Sequence, residues 1–352
     1  MAISSRGTVV LATGLLVAAA VCAAAAAAPL PRSLSRPRPS AMKNDTSLSH
    51  YFYVDSCPQL ETIVRSTVDN AIRQDVRLTA GLLRIFFHDC FPQGCDASNL
   101  LDNGERLLAP NVGLQQGALQ LIEDIRAKVH SQCGPTVSCA DILVLATRDA
   151  VNLAGGPAFT VPLGRLDSFA PASDGDVFSL PPPTASVDTL LDAFSRKGLS
   201  DPADLVALSG AHTVGKARCS SFGNDTITPK DDISRCLAGF CSTGDANRLR
   251  DLDFLTPEVF DNMYYIDLTL NKGPGVMLNS DQGLASHPRT NWLVRGFADN
   301  HWWFFDQFST SMVKMSQLKG PQGNVGEVRG NCFRPNTAAA GAAAGEGLAA
   351  SA

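Results

Sequence analysis

Arg84-Ile85-Phe86-Phe87-His88-Asp89-Cys90 is the first segment whose residue types can do chemistry. Arg84 and His88 are four apart, so a helix places them on one face. An imidazole that titrates near neutrality beside a fixed cation makes a proton shuttle next to an anion stabiliser. Such a pair is often mere surface decoration, but Phe86 and Phe87 in the same turn argue for a partly buried setting. Directly after it runs Asp89-Cys90-Phe91-Pro92-Gln93-Gly94-Cys95-Asp96-Ala97-Ser98. Two carboxylates and a hydroxyl around a short cysteine loop, with loop carbonyls, suit Ca²⁺, and a plain polar turn is the alternative. The third candidate is His212, at the end of the apolar stretch Leu205-Val206-Ala207-Leu208-Ser209-Gly210-Ala211-His212-Thr213. It reads either as a metal ligand or as a satisfied core histidine.

Helices must carry these groups. Leu60, Ile63, Val64, Thr67, Val68, Ala71 and Ile72 fall on one face of an amphipathic helix. Ser138-Cys139-Ala140-Asp141 has the form of a capping box before the run to Leu153, which Gly155-Gly156-Pro157 stops. Ser186 caps a helix carrying Val187, Leu190, Leu191 and Phe194. Asp201-Pro202 opens another that ends near Gly210, and Thr256-Pro257 opens a further one toward Leu270. Alternating strand patterns are scarce, and no repeat of 20–50 residues occurs. The expectation is one mostly α domain over residues 47–335.

The chain has 352 residues, 45% hydrophobic and 18% charged, with a net charge of -5. That apolar fraction excludes a disordered chain, and the acidic balance speaks against a nucleic-acid partner. Arg6 followed by the apolar run from Thr8 to Ala28 predicts a secretory signal over residues 1–28, a membrane anchor being the alternative. No other run reaches roughly 18 apolar residues, so the mature form is expected off the membrane. Residues 29–46 read as a Pro/Arg/Ser-rich disordered leader, and residues 336–352 as a disordered tail or a sorting extension. Asn44 and Asn224 begin glycosylation sequons. Of ten cysteines, Cys22 falls in the signal; nine others predict disulfides with one thiol left over. Zinc is disfavoured, because no CxxC pair appears. Spacing alone leaves the connectivity open.

Taken together, these segments closely resemble the class III secretory plant peroxidases, which are haem enzymes. The resemblance spans residues 47–335. It rests on RxxFHDCFxxGCDAS at Arg84–Ser98, TVSCAD at Thr136–Asp141, VPLGRxD at Val161–Asp167 and LVALSGAHTVG at Leu205–Gly215. It continues with TPxxFDNxYY at Thr256–Tyr265, NSDQ at Asn279–Gln282 and GEVRGNC at Gly326–Cys332. It implies a mostly α haem-peroxidase domain with one haem b between distal and proximal helical halves. His212 would be the axial ligand of the iron, with Asp281 behind it as the second-shell carboxylate. His88, Arg84 and Asn111 would be catalytic: proton shuttle, charge stabiliser and tautomer-fixing amide.

Two Ca²⁺ are implied by the same resemblance. The first would use side chains of Asp89, Asp96 and Ser98 and carbonyls of Asp89, Pro92 and Gly94, with Glu105 reaching it through water. The second would use Thr213, Asp253, Thr256, the Val259 carbonyl and Asp261. The family pattern pairs Cys57–Cys133, Cys90–Cys95, Cys139–Cys332 and Cys219–Cys241, leaving Cys236 as the extra thiol. Pro181 matches a backbone-carbonyl position used by donors. The implied activity is reduction of H₂O₂ with one-electron oxidation of small phenolic donors, by a monomer that is secreted to the cell wall or sent to the vacuole. Departures are a short loop after Cys219, added residues at Gly273-Pro274-Gly275, and Ala109, Thr184 and Ser221 where rings often line the haem edge. A catalytically idle wall protein and a cofactor-free disulfide domain are the competing readings.

Overall fold

A computed structural model describes residues 48–222, 239–241, 245–270, 277–320 and 323–336. The signal, the leader, the tail from residue 337, both sequons, Cys236 and the 273–275 insertion lie outside the described residues.

Helix α1 (Leu60–Ile72) buries Leu60, Ile63, Val64, Thr67 and Val68, the stripe read from the sequence. It packs with α2 (Leu78–Gln93), α3 (Gln116–Cys133) and α4 (Cys139–Leu153) into one helical half. Helix α4 starts where the sequence says it should, because Ser138 Oγ accepts the Asp141 N–H. A cap of this kind is worth about 1 kcal/mol. Buried Asp167 adds to it by accepting the N–H groups of Cys139 and Ala140, a carboxylate at the positive end of the helix. Arg165 pairs with Asp141 at 2.7 Å, both buried, and ties the following Pro162–Arg165 segment to α4.

After the short helix α5 (Asp174–Val177), the second half follows: α6 (Val187–Arg196), α7 (Pro202–Ser209), α8 (Met263–Leu270), α9 (Asn279–Ser286), α10 (Asn291–Asp299) and α11 (His301–Ser316). Ser186 caps α6 and Asp201 caps α7, with Pro202 in the first turn, as expected. Helix α7 packs on α11, and α10 packs on α8, α9 and α11. One continuous apolar core runs through both halves. Among the described residues the sheet is a single antiparallel pair, β1 (Lys216–Arg218) with β2 (Leu249–Asp251), Lys216 opposite Asp251.

The helix expected from Thr256-Pro257 begins later, at Met263. Side chains compete for the backbone there. Asp253 Oδ1 accepts the N–H groups of Leu255 and Thr256, and Asp261 Oδ1 accepts the N–H of Met263. These local bonds hold Asp253–Asp261 as a loop and put the helix start after Asp261.

All four cysteine pairings stand as the family pattern implied: Cys57–Cys133, Cys90–Cys95, Cys139–Cys332 and Cys219–Cys241. The Cys139–Cys332 bond closes 193 residues of chain. Loop-closure entropy alone would make that worth about 5 kcal/mol.

Candidate active site

His88 lies in α2, one turn after Arg84. Its Nδ1 stands 2.7 Å from Asn111 Oδ1. The Asn111 amide nitrogen is spent on the Glu105 carbonyl at 3.0 Å, which fixes the amide orientation. Asn111 therefore presents an acceptor, His88 Nδ1 carries the proton, and Nε2 keeps a lone pair. Burial, and then the charge of Arg84, push the His88 pKa down to about 3, against the Asn111 hydrogen bond. The ring is neutral at any ordinary pH.

Arg84 donates from Nη2 to the Pro110 carbonyl at 3.1 Å. It touches solvent, yet burial lowers its basicity, as does the charge of Arg218. Sequence reading passed over Arg218; its only signal was a basic residue in the strand that follows His212.

His212 sits in the 3₁₀ turn Gly210–Thr213 that continues α7. Its Nδ1 lies 3.0 and 3.1 Å from the two oxygens of Asp281, a buried residue in the first turn of α9. Burial alone would depress the His212 pKa. The charge and hydrogen bond of Asp281 outweigh that and raise it, with Arg84 opposing. The side chain is 38% exposed against 2% for Asp281, so one ring edge is clamped while the other opens outward. The charge of Arg84 acts on both His88 and His212. Arg84 is thus near enough to influence both imidazoles. An imidazole held by a carboxylate at Nδ1 and open at Nε2 is suited to hold a haem iron.

Beside His88, Asp89 Oδ2 accepts the Ala97 N–H at 3.0 Å, while Asp96 accepts from the Ser98 N–H and from Gln93. Asp89 Oδ1, Ser98 Oγ and Glu105 Oε2 are buried without hydrogen-bond partners among the described residues. Burial raises the pKa of Asp89, whose neighbours Asp96 and Glu105 raise it further. Burial also raises Asp96, and pushes Glu105 up to about 7. Oxygen atoms left unpaired in such a place are costly unless a cation takes them up. The donor set fits Ca²⁺. Ala97 adopts a left-handed φ of 56° to turn the loop around it.

Beside His212, Thr213 Oγ1 donates to Asp253 at 3.0 Å and to Asp261 at 3.2 Å, and Thr256 Oγ1 reaches Asp261 at 3.1 Å. Two carboxylates and two hydroxyls thus meet, again an oxygen-only set. Among the described residues, no three His, Cys, Asp or Glu side chains converge as a metal cluster by themselves. Both clusters therefore lean on hydroxyl and carbonyl oxygens. Pro181 is half-buried in the segment before α6, while Ala109 and Thr184 are exposed.

A mostly helical chain with four disulfides, one histidine bonded to Asn111 and another to the buried Asp281, has the features of a haem peroxidase. The chain matches the family model described as Peroxidase over residues 64–300. It is 48% identical to "Cationic peroxidase SPC4" of Sorghum bicolor over 304 residues, 83% of each chain. It is 45% identical to "Peroxidase 66" of Zea mays over 296 residues, 82% of this chain and 91% of that one. It is 42% identical to "Peroxidase 12" of Arabidopsis thaliana over 302 residues, 82% of this chain and 83% of that one. The chain belongs to the class III plant peroxidases: it is an enzyme that uses haem and H₂O₂ to oxidise reducing substrates. Among the described residues no helix is long and apolar enough to cross a membrane.

Proposed function

We propose that the protein is a secreted, monomeric peroxidase that oxidises small phenolic donors, with His88, Arg84 and Asn111 as its peroxide-cleaving residues. What supports this is the neutral His88, its Nδ1–H held by Asn111, together with the His212–Asp281 pair, both under the influence of the Arg84 charge. Bound haem would supply redox chemistry, taking two oxidising equivalents from peroxide and passing them on singly. His212 would hold its iron, and Asp281 would strengthen His212 as a donor. His88 Nε2 accepts the proton from one peroxide oxygen and returns it to the other, which leaves as water. This acid–base work is worth about 10²–10⁴ in rate. Arg84 stabilises the negative charge that develops as the O–O bond breaks.

Two Ca²⁺ complete this reading, one on Asp89, Asp96, Ser98 and the Pro92 and Gly94 carbonyls with Glu105 behind, one on Thr213, Asp253, Thr256, Val259 and Asp261. Each ion pins the backbone beside a catalytic histidine, since Asp89 follows His88 and Thr213 follows His212. Pro181 offers its carbonyl to the donor. Donors of the lignin, suberin, auxin and defence kind fit this chemistry. A cleaved signal over residues 1–28 sends the chain to the cell wall, or to the vacuole if the tail is a sorting signal. The test is turnover of H₂O₂ with guaiacol by purified holoprotein, beside His88→Leu. The variant is expected to keep its Soret band and lose about 10²–10⁴ of the rate. A haem-loaded wild type that does not turn over would contradict the proposal.

A further inference from the structure

The three tryptophans of the chain stand in first turns, Trp292 in that of α10 and Trp302 and Trp303 in that of α11, and each keeps more than a third of its surface exposed. Burying an indole is among the larger apolar gains a fold can make, and this fold forgoes part of it at each of the three. Two of these rings begin a series that runs to His212. Trp292 (55% exposed) lies 6.1 Å from Trp303 (37% exposed), centroid to centroid. Trp303 stands 5.1 Å from Phe297, Phe297 5.3 Å from Tyr265, and Tyr265 4.9 Å from Tyr264. Tyr264 lies 6.1 Å from the ring of His212. Phe297, Tyr265 and Tyr264 are wholly buried. Trp303 is held flat on α10 by Gly296, where any Cβ would run into the indole. Trp302 touches His301 and Phe305 instead.

Electron transfer weakens steeply with distance, so touching rings are a far better route than saturated side chains. Chemistry then decides where an oxidising equivalent comes to rest. The Tyr265 hydroxyl donates to the Val206 carbonyl, which is no base, so the ring has nowhere to put its proton on oxidation. The Tyr264 hydroxyl stands near Asp281 but outside hydrogen-bond geometry. An indole can lose an electron while keeping its proton, and Trp303 and Trp292 meet solvent. We propose that Trp303, together with Trp292, is a second site of one-electron oxidation, taking phenol-bearing polymers at the protein surface. This rests on the peroxidase reading above, with H₂O₂ as the oxidant. An electron passes inward from Trp303 through Phe297, Tyr265 and Tyr264 toward the peroxide-oxidised centre behind His212. The indole radical cation then takes one electron from a surface phenol. The phenol proton goes to water, a phenoxyl radical leaves, and two such events consume one H₂O₂. The absence of rings at Ala109 and Thr184 fits a protein that meets bulky donors elsewhere.

The test compares the haem-loaded wild type with the Trp292→Phe/Trp303→Phe double variant, which keeps a ring at each position. Holoenzyme given H₂O₂ without donor is frozen for electron paramagnetic resonance, and a parallel sample is spin-trapped and digested for mass spectrometry. A tryptophanyl radical is expected in the wild type, with the adduct on Trp303 or Trp292, and both are lost in the variant. Oxidation of a soluble lignosulfonate is expected to fall at least tenfold in the variant, with guaiacol turnover unchanged. An unchanged lignosulfonate rate, or a radical signal the variant leaves intact, overturns the proposal. A wild type without Soret band or guaiacol turnover instead overturns the peroxidase reading itself.

Discussion

His88 and Asn111 are locked by a hydrogen bond of 2.7 Å whose direction is set one residue further out, where Asn111 donates to the Glu105 carbonyl. An amide with its donor already spent can offer His88 only an acceptor. The proton is thereby confined to Nδ1, which leaves the Nε2 lone pair free for the proposed base role. Asn111→Val removes the acceptor. The expected result is a peroxide reaction at least tenfold slower, within the roughly 10²–10⁴ that a general base supplies. Stopped-flow mixing with H₂O₂ measures it, and a wild-type rate in the variant would show that tautomer control is not needed.

The His88 pKa of about 3 has a directional consequence. The group is a base whose pKa is lowered by folding, so the folded state resists its protonation. Activity that needs neutral His88 should hold from neutral pH down to about 4 and fall as pH drops through about 3. The same group costs stability as pH falls below its unfolded value of about 6.5, because the unfolded chain takes up the proton first. A pH–rate profile for the peroxide step checks this. A half-maximum near 6.5 would mean that His88 titrates as a solvated side chain.

Asp281 is buried at the start of α9, with both oxygens directed at His212 Nδ1. Asp281→Asn leaves a neutral partner of similar size. The imidazole becomes a weaker donor, the Fe³⁺/Fe²⁺ potential should rise, and haem affinity or activity should fall about 10–100-fold. Redox titration of the holoprotein reads the potential; an unshifted value would remove Asp281 from the account of the ligand.

Calcium removal should loosen the cleft before it unfolds the domain. The unpartnered oxygens of Asp89, Ser98 and Glu105 are what a cation would satisfy, and the chain beside them carries His88. After chelation, peroxide turnover should drop while far-UV circular dichroism stays close to the starting spectrum. Full activity after verified removal of all calcium contradicts this.

Local chemistry made much of the fold legible. Ser138, Ser186 and Asp201 bond to their own helices within three residues, so their caps were readable from short windows. The helix expected at Thr256 failed for the same kind of reason in reverse. Asp253 and Asp261 take the backbone donors that the first turn would use, and nothing in the Thr256-Pro257 pair reports that competition. The Arg84–His88 pairing followed from helical spacing. Spacing alone could not say that His212 and Asp281, 69 residues apart, would meet, nor choose among cysteine pairings; the family motifs supplied both. The ring series from Trp303 to His212 was hidden entirely, because it draws on α8, α10 and α11 and exists only when they pack.

The central claim is that the imidazole of His212 grips a haem iron across the cleft from His88. Reconstitution of His212→Ala with haem, followed by absorption and resonance Raman spectra, tests it most directly. Weakened haem uptake, a shifted Soret band and loss of the iron–imidazole vibration are expected. Uptake and spectra identical to those of the wild type would contradict the claim outright.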